Sequence, residues 1–196
     1  MAFRALLGYA LYSIGGATAA FAGGRYALGE WRQQDARRAW DEAEAQAVVA
    51  LARRESALED PSSAHIVPGS PVAHLLIPRL GLDEIVLEGV EGDVLNGGPG
   101  HLPGSAFPGE PGNSIISAHR DRHFAKLGAI NVGDTVITES GTRRDRWVVI
   151  SKRVLEDDDP ALFRTDAATL TLTTCWPIRY LGPAPERLIV TAKPAE

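Results

Sequence analysis

Hydrophobic and polar residues follow two different patterns, one before and one after about residue 70. Residues 5–24 carry no charge and are rich in Ala, Leu and Gly, and residues 27–58 are rich in Ala, Glu, Arg and Gln, a composition that favours helix. From Val72 onwards, short apolar runs are separated by Gly and Pro, which is typical of strands joined by turns. The pattern predicts a helical N-terminal part followed by a β domain.

The β domain is predicted to contain seven or eight short strands. The clearest runs are Val72–Pro78, Glu84–Glu88, Asn113–Arg120, Asp134–Thr138, Arg146–Lys152, Thr169–Cys175 and Arg187–Thr191. Few helical patterns lie between them, apart from a single helical turn predicted over Asp121–Lys126. Many short strands separated by turn residues indicate a barrel or a sandwich.

One strand, Thr169–Cys175, stands out because it ends on the only cysteine of the sequence. Thr and Leu alternate along it, so that one face is apolar and the other presents hydroxyl groups. A thiol at the end of such a strand is held on rigid backbone, as a nucleophile must be. The alternative is a buried structural cysteine, since free Cys is among the most buried residue types.

Composition excludes several classes of function. The net charge is −5 and no basic block is present, which argues against a nucleic-acid-binding protein. A single cysteine allows neither an intramolecular disulfide nor a Cys-based zinc site. The five histidines show no H-E-x-x-H spacing, so we expect no metal and no cofactor.

The apolar N-terminal segment has the length of a membrane span. Its 20 residues, 5–24, suffice to cross a hydrocarbon core of ~30 Å. Ala20–Ala22 resembles a signal-peptide cleavage site, but the run is longer than an ordinary signal-peptide core, which favours an uncleaved anchor. We therefore divide the chain into a transmembrane signal anchor (1–26), a helical stalk and linker (27–71) and the β domain (72–196). A solvated linker helix is favoured for the stalk over a helix packed on the domain.

Two predicted strands end near residues whose side chains could take part in catalysis, and a third strand begins with such a residue. His119 follows Asn113–Ala118, Cys175 ends its own strand, and Arg187 opens the last strand. A thiolate with a nearby imidazole is the minimal machinery for acyl transfer, and an arginine can stabilise the oxyanion that develops. Spacing alone does not prove that these residues converge, and a histidine at a strand end is more often structural.

Several segments, in this order along the chain, resemble the sortases, which are membrane-anchored cysteine transpeptidases. The segments are Val72–Pro78, Gly97–His101, Pro108–Asn113, Ser117–Arg120, the TLxTC signature at Thr171–Cys175, and Glu186–Val190. The resemblance covers roughly residues 70–193. The surroundings of Cys175 and Arg187 look most like the sortases of Gram-negative bacteria (class GN).

The resemblance implies an all-β fold, a sortase-type closed barrel of about eight strands with short helices, preceded by a transmembrane helix and a helical stalk. Cys175 would be the nucleophile that forms an acyl-thioester, and His119 the general acid and base. Arg187 would hold the substrate backbone and stabilise the oxyanion. Thr174 and Ala118, which adjoin these residues, are expected to flank the substrate groove.

The implied substrate is a protein with a C-terminal LPxTG-like sorting signal, cut between Thr and Gly, with transfer to an unidentified amine acceptor. The implied location is the bacterial inner membrane, crossed once, with the catalytic domain on the periplasmic side. An acidic run at Glu156–Asp159 resembles a calcium site of some family members, but a solvated acidic loop is favoured. The alternatives are a cysteine peptidase that uses water, and a membrane-tethered binding module with an inert cysteine.

Four residues near the predicted site compete for the same roles. Arg120 and Arg122 follow the histidine, and Arg179 lies in the loop after the cysteine strand. Only Arg187 lies in a strand that fits the family pattern. For His101, which lies in a Gly-rich turn, a structural role that ties down the loop is favoured.

Overall fold

The computed structural model describes residues 2–54, 67–141, 143–156, 168–180 and 182–195. Within these ranges a long N-terminal helix, α1 (Ala2–Arg54), precedes a domain of eight strands. The strands are β1 (Pro71–Ile77), β2 (Leu82–Glu88), β3 (Gly100–His101), β4 (Asn113–Ser117), β5 (Thr135–Ser140), β6 (Arg143–Glu156), β7 (Thr169–Trp176) and β8 (Glu186–Pro194). Three short helical segments lie between them: α2 (Gly92–Leu95) and 3₁₀ turns at Pro78–Leu80 and Leu127–Ala129.

The strands close into a barrel in the order β1-β2-β3-β4-β7-β8-β6-β5. β5 pairs antiparallel with β1 and completes the closure. β4 and β7 run parallel, whereas β7 and β8 are antiparallel. The predicted closed barrel of about eight strands is confirmed.

The observed strand boundaries differ most from the prediction at β6. This strand runs from Arg143 to Glu156, well beyond the predicted Arg146–Lys152. Its first half pairs with β5 and its second half with β8, so ladder hydrogen bonds hold it extended along its length. The added residues are largely exposed and lack the apolar alternation on which a sequence prediction depends.

The main hydrophobic core fills the barrel. It is built from alternate residues of the strands, as the period of two requires, and from the segment between β4 and β5. Its fully buried members include Leu75, Ile77, Ile116, Phe124, Leu127, Ile130, Trp147, Leu170, Leu172, Leu188 and Val190. Each such side chain stabilises the fold by about 1.5–3 kcal/mol relative to an exposed position.

Helix α1 packs on the outside of the barrel. Trp40 and Ala36 of the helix form a second apolar cluster with Ile85 and Leu87 of β2 and with Val94 of α2. The helix is therefore part of the packed domain, in contrast to the solvated stalk that its composition favours. The helix contributes only a thin apolar stripe to this contact, in which Trp40 is buried.

A buried amide reinforces this contact. Gln33 is 6% exposed, and its Nε2 donates to Gly97 O at 3.1 Å and to Ile85 O at 3.3 Å. Its Oε1 accepts from Ile85 N at 3.0 Å. The side chain thus pairs with both backbone groups of one β2 residue, as a neighbouring strand would.

Charged residues tie the helix to two strands. Arg37 Nη1 and His74 Nε2 each lie 2.7 Å from Asp83 Oδ1, while His74 Nδ1 lies 3.0 Å from Glu139 Oε2. Burial raises the pKa of Asp83, but hydrogen bonds with His74 and Arg37 and their positive charge outweigh it. The pKa of Asp83 is therefore held below its ordinary value.

Within the described residues, no helix combines the length and the apolar character of a membrane span. The predicted linker around residues 60–63 lies outside the described residues. So do residues 157–159, which make up most of the acidic run.

We predict that Gln33→Ala destabilises the protein by about 1–3 kcal/mol, because it leaves buried backbone groups of Ile85 and Gly97 without partners. Chemical denaturation of the two proteins measures the difference. Gln34→Ala is the matched control: Gln34 is exposed, and its replacement should change the free energy of unfolding by less than about 0.5 kcal/mol. Equal effects of the two substitutions would contradict the role given to the Gln33 amide.

Candidate active site

Three of the predicted residues, Cys175, His119 and Arg187, meet at one end of the barrel. Cys175 on β7 lies directly opposite Arg187 on β8. Directly opposed residues of an antiparallel pair have Cα atoms about 4.5–5.5 Å apart and side chains on the same face. The convergence of a cysteine and an arginine thus follows from the register of one strand pair.

The third residue, His119, reaches the same level through the parallel pairing of β4 with β7. That ladder ends with Ser117 opposite Thr173. Ala118 N then donates to Thr173 O at 3.2 Å, which carries the pairing one residue further. His119 follows two residues after Ser117, as Cys175 follows two residues after Thr173, so both stand at the same end of neighbouring strands.

The alternation of β7 directs Cys175 away from the core. Leu170 and Leu172 are fully buried inside the barrel, which confirms the predicted apolar face. Cys175 has the opposite parity, so its side chain lies on the outer face of the sheet. It is half-buried, as are His119 and Arg187. A half-buried thiol on a fixed strand is protected and still reachable.

Thr174 and Ala118, which were expected to flank the groove, lie beneath the surface instead. Thr174 is fully buried, and Ala118 is 5% exposed. Thr174 Oγ1 donates to Ala118 O at 2.7 Å. The contact ties the end of β4 to β7 immediately before His119 and Cys175.

The chain after His119 forms a tight, anchored turn. His119 O accepts hydrogen bonds from Phe124 N at 3.1 Å and from Arg122 N at 3.4 Å. The Phe124 side chain is fully buried in the barrel core. The backbone of His119 is therefore fixed on one side by β4 and on the other by a turn with an apolar anchor.

The competing arginines near the site have structural partners. Arg120 Nη2 donates to Gly182 O at 2.7 Å and to Tyr180 O at 3.1 Å, and its guanidinium lies over the Tyr180 ring. Arg120 thereby holds the loop between β7 and β8. Arg122 points to α1, and Arg179 is exposed. Of the four arginines, only Arg187 stands opposite the cysteine.

His101 has the structural role that its Gly-rich surroundings favour. Its Nδ1 lies 2.8 Å from Glu88 Oε2, and its Nε2 lies 3.0 Å from Ala106 O and 2.9 Å from Ser105 Oγ. The ring is 1% exposed and stacks on Phe107 with a centroid separation of 4.6 Å. Both ring nitrogens are engaged, and the residue ties β3 to the loop that leads into β4.

A cavity of about 580 Å³ lies on the outside of the barrel, at the start of β4. Asn113 and Ile115 form part of its lining, together with residues 102–106 and 110–112 of the preceding loop. Ile115 is opposite Thr171, four residues before Cys175 and on the same face of β7. Because a strand rises by about 3.3 Å per residue, Thr171 and the adjacent part of the cavity lie about 13 Å along β7 from Cys175.

The arrangement has the components of acyl transfer by a thiol. A thiolate attacks a carbonyl carbon, an imidazole gives a proton to the departing amine, and a guanidinium donates hydrogen bonds to the developing oxyanion. Side chains fixed by strand register, as here, lose little freedom on reaching a reactive geometry.

Comparison with known proteins identifies the family. Residues 75–195 match the model of the sortase domain. Sortase D of Bacillus subtilis (strain 168) is 31% identical over 121 residues, which make up 61% of each chain, so this chain spans about three-fifths of that relative's length. This relative is a sortase D, whereas the sequence resemblance pointed to the Gram-negative class.

Solved structures agree on the fold. The Sortase D5 transpeptidase of Clostridium perfringens superposes with a TM-score of 0.66 at 23% identity, over 87% of this chain and 99% of that one. The sortase C of Clostridium perfringens, whose structure is described with its C-terminal cell wall sorting motif, superposes with a TM-score of 0.62 at 22% identity, over 84% of this chain and 89% of that one. With the domain match over more than half of its length, the chain belongs to the sortase family of cysteine transpeptidases.

Proposed function

We propose that this sortase cleaves an LPxTG-like sorting signal between Thr and Gly and transfers the acyl group to an amine. The observation that carries the proposal is the strand register, which brings His119, Cys175 and Arg187 together at one end of the barrel. Each of the three is half-buried and therefore open to a substrate.

The proposed reaction has two halves. The Cys175 thiolate attacks the Thr carbonyl, the C–N bond to Gly breaks, and protonated His119 gives its proton to the departing amine. The resulting acyl-thioester is then attacked by the acceptor amine, His119 takes up a proton from that amine, and the thiolate leaves. Arg187 donates hydrogen bonds to the oxyanion in both halves.

We assign the cavity at the start of β4 to the residues that precede the scissile bond. Four residues of an extended peptide span about 13 Å, which matches the separation between Cys175 and the level of Ile115. The sortase C of Clostridium perfringens, with its sorting motif, supports the class of ligand.

We further propose that residues 1–26 anchor the protein in the inner membrane, with residues 27–71 as stalk and linker and residues 72–196 on the periplasmic side. The uncharged run 5–24 supports this arrangement. Exposed Trp31 on α1 is an aromatic residue of the kind found at membrane–water interfaces. The Gram-negative subclass stays a prediction from the residues around Cys175 and Arg187.

Thr174 and Ala118 are best understood as positioning residues. The buried hydrogen bond between them fixes the end of β4 against β7, and the residues that follow them are His119 and Cys175. Their contribution is therefore to the alignment of the imidazole with the thiol.

We predict that Thr174→Val lowers kcat by about five- to tenfold, because it keeps the shape of the side chain but removes one buried hydrogen bond of about 1 kcal/mol. Thr174→Ser, which keeps the hydroxyl, should retain most of the activity. Steady-state kinetics of peptide cleavage test both variants. A valine variant with unchanged kcat would contradict the positioning role.

The proposed reaction is tested with a library of LPxTG-like peptides, with and without an added amine nucleophile, by mass analysis of the products. We expect amide products with the amine, and their loss by at least about 10³-fold in Cys175→Ala and about 10²–10³-fold in His119→Ala and Arg187→Ala. Arg179→Ala, which changes an exposed arginine of the neighbouring loop, is the matched control and should remain active.

Two other results would overturn the proposal. Hydrolysed products in place of amides at all amine concentrations would make the protein a cysteine peptidase. Full activity of Cys175→Ala would leave the cysteine without a catalytic role and favour a binding module.

A further inference from the structure

Among the described residues, Arg122 joins the turn that follows His119 to α1. Arg122 Nη2 donates to Tyr26 O at 3.2 Å, and its guanidinium lies 5.4 Å from the centre of the Tyr26 ring. Its Nη1 donates to Asn96 O at 2.7 Å, immediately after α2. The backbone N of the same residue donates to His119 O at 3.4 Å. Arg122 thus contacts α1 at one end and His119 at the other.

A glycine in α1 provides the space for this contact. A Cβ atom added at Gly29 would lie 2.5 Å from both terminal nitrogens of the Arg122 guanidinium. Glycine is unfavourable within a helix because it has more conformational freedom to lose than alanine. Gly29 is buried, and the close approach of the guanidinium explains why the smallest residue occupies this position.

We propose that Arg122 is a positioning residue that couples the docking of α1 to the alignment of His119. The stretch of α1 around residues 26–29 is then part of the catalytic unit. The inference rests on the proposed function only in that His119 acts on the Cys175 thiol. A guanidinium displaced from Tyr26 pulls on the turn whose first carbonyl belongs to His119, and small displacements of a catalytic group are costly.

Another arginine makes a comparable contact between α1 and the barrel, one that does not involve the turn after His119. Arg32, also on α1, donates from Nη1 to Asp93 O at 3.1 Å. This bond ties the helix to the barrel in the same region but involves neither His119 nor the turn after it. Loss of Arg32 therefore weakens helix docking without the coupling.

The first experiment compares Gly29→Ala with Gly24→Ala in the full chain. Both substitutions raise the helix propensity of α1, but only the first meets a neighbour, since nothing lies within 4 Å of a Cβ at Gly24. We expect Gly29→Ala to lower kcat for an LPxTG-like peptide about tenfold with little change in KM and no loss of thermal stability. Gly24→Ala should have the kinetics of the parent protein.

The second experiment needs no sorting peptide. The rate at which iodoacetamide alkylates Cys175 is measured against pH for the parent protein, Arg122→Ala, Arg122→Lys and Arg32→Ala. We expect Arg122→Ala to shift the midpoint of the profile, because the turn that follows His119 moves relative to the thiol, and Arg122→Lys to restore part of the shift. Arg32→Ala should have the parent profile.

Unchanged kcat in Gly29→Ala, or the same alkylation profile in Arg122→Ala and the parent, would overturn the inference. Equal changes in Arg122→Ala and Arg32→Ala would also overturn it, because they would indicate a general loss of helix docking. If the parent protein cleaves no LPxTG-like peptide and the Arg122-specific shift in alkylation persists, the proposed function fails and the coupling stands.

Discussion

The pairing of β7 with its two neighbours is the constraint on which the site depends. β7 lies between a parallel partner, β4, and an antiparallel partner, β8. These pairings bring the C-terminal ends of β4 and β7 and the N-terminal end of β8 to one end of the barrel. His119, Cys175 and Arg187 are thereby assembled from distant parts of the sequence, and a shift of one residue in either register would place one of these side chains on the opposite face.

Burial on the inner side of the barrel is what holds that register. The leucines of β7 point into the same core as Leu188 and Val190 of β8, so slippage would expose them to water. The hydrogen bond from Thr174 to Ala118 O also fixes β7 against β4 at the residue immediately before the cysteine. The side chains on the inner face of β7 therefore stabilise the barrel, while Cys175 on the outer face is accessible to a substrate.

Local patterns in the sequence predicted the strands of the barrel, whereas the candidate site residues were predicted from the resemblance to the sortases. Thr and Leu alternate with a period of two up to Cys175, and short apolar runs precede His119 and follow Arg187. All three segments are strands in the structure. The docking of α1 was not predictable in this way. Gln33 pairs with a backbone group 52 residues away, and an amide in a polar helix gives no sign of such a partner. Gly29 is a local signal of this contact, since a Cβ atom there would meet the guanidinium of Arg122.

In the proposed reaction, Cys175 attacks a sorting signal and carries the acyl group. Intact-protein mass spectrometry after incubation with LPxTG-like peptides, without an amine acceptor and with rapid acid quenching, tests it most directly. We expect a mass increase on Cys175 equal to the peptide acyl fragment up to Thr. The adduct should be sensitive to hydroxylamine and absent in Cys175→Ala. Cleavage of the peptide without any such adduct, or an adduct that persists in Cys175→Ala, would contradict it.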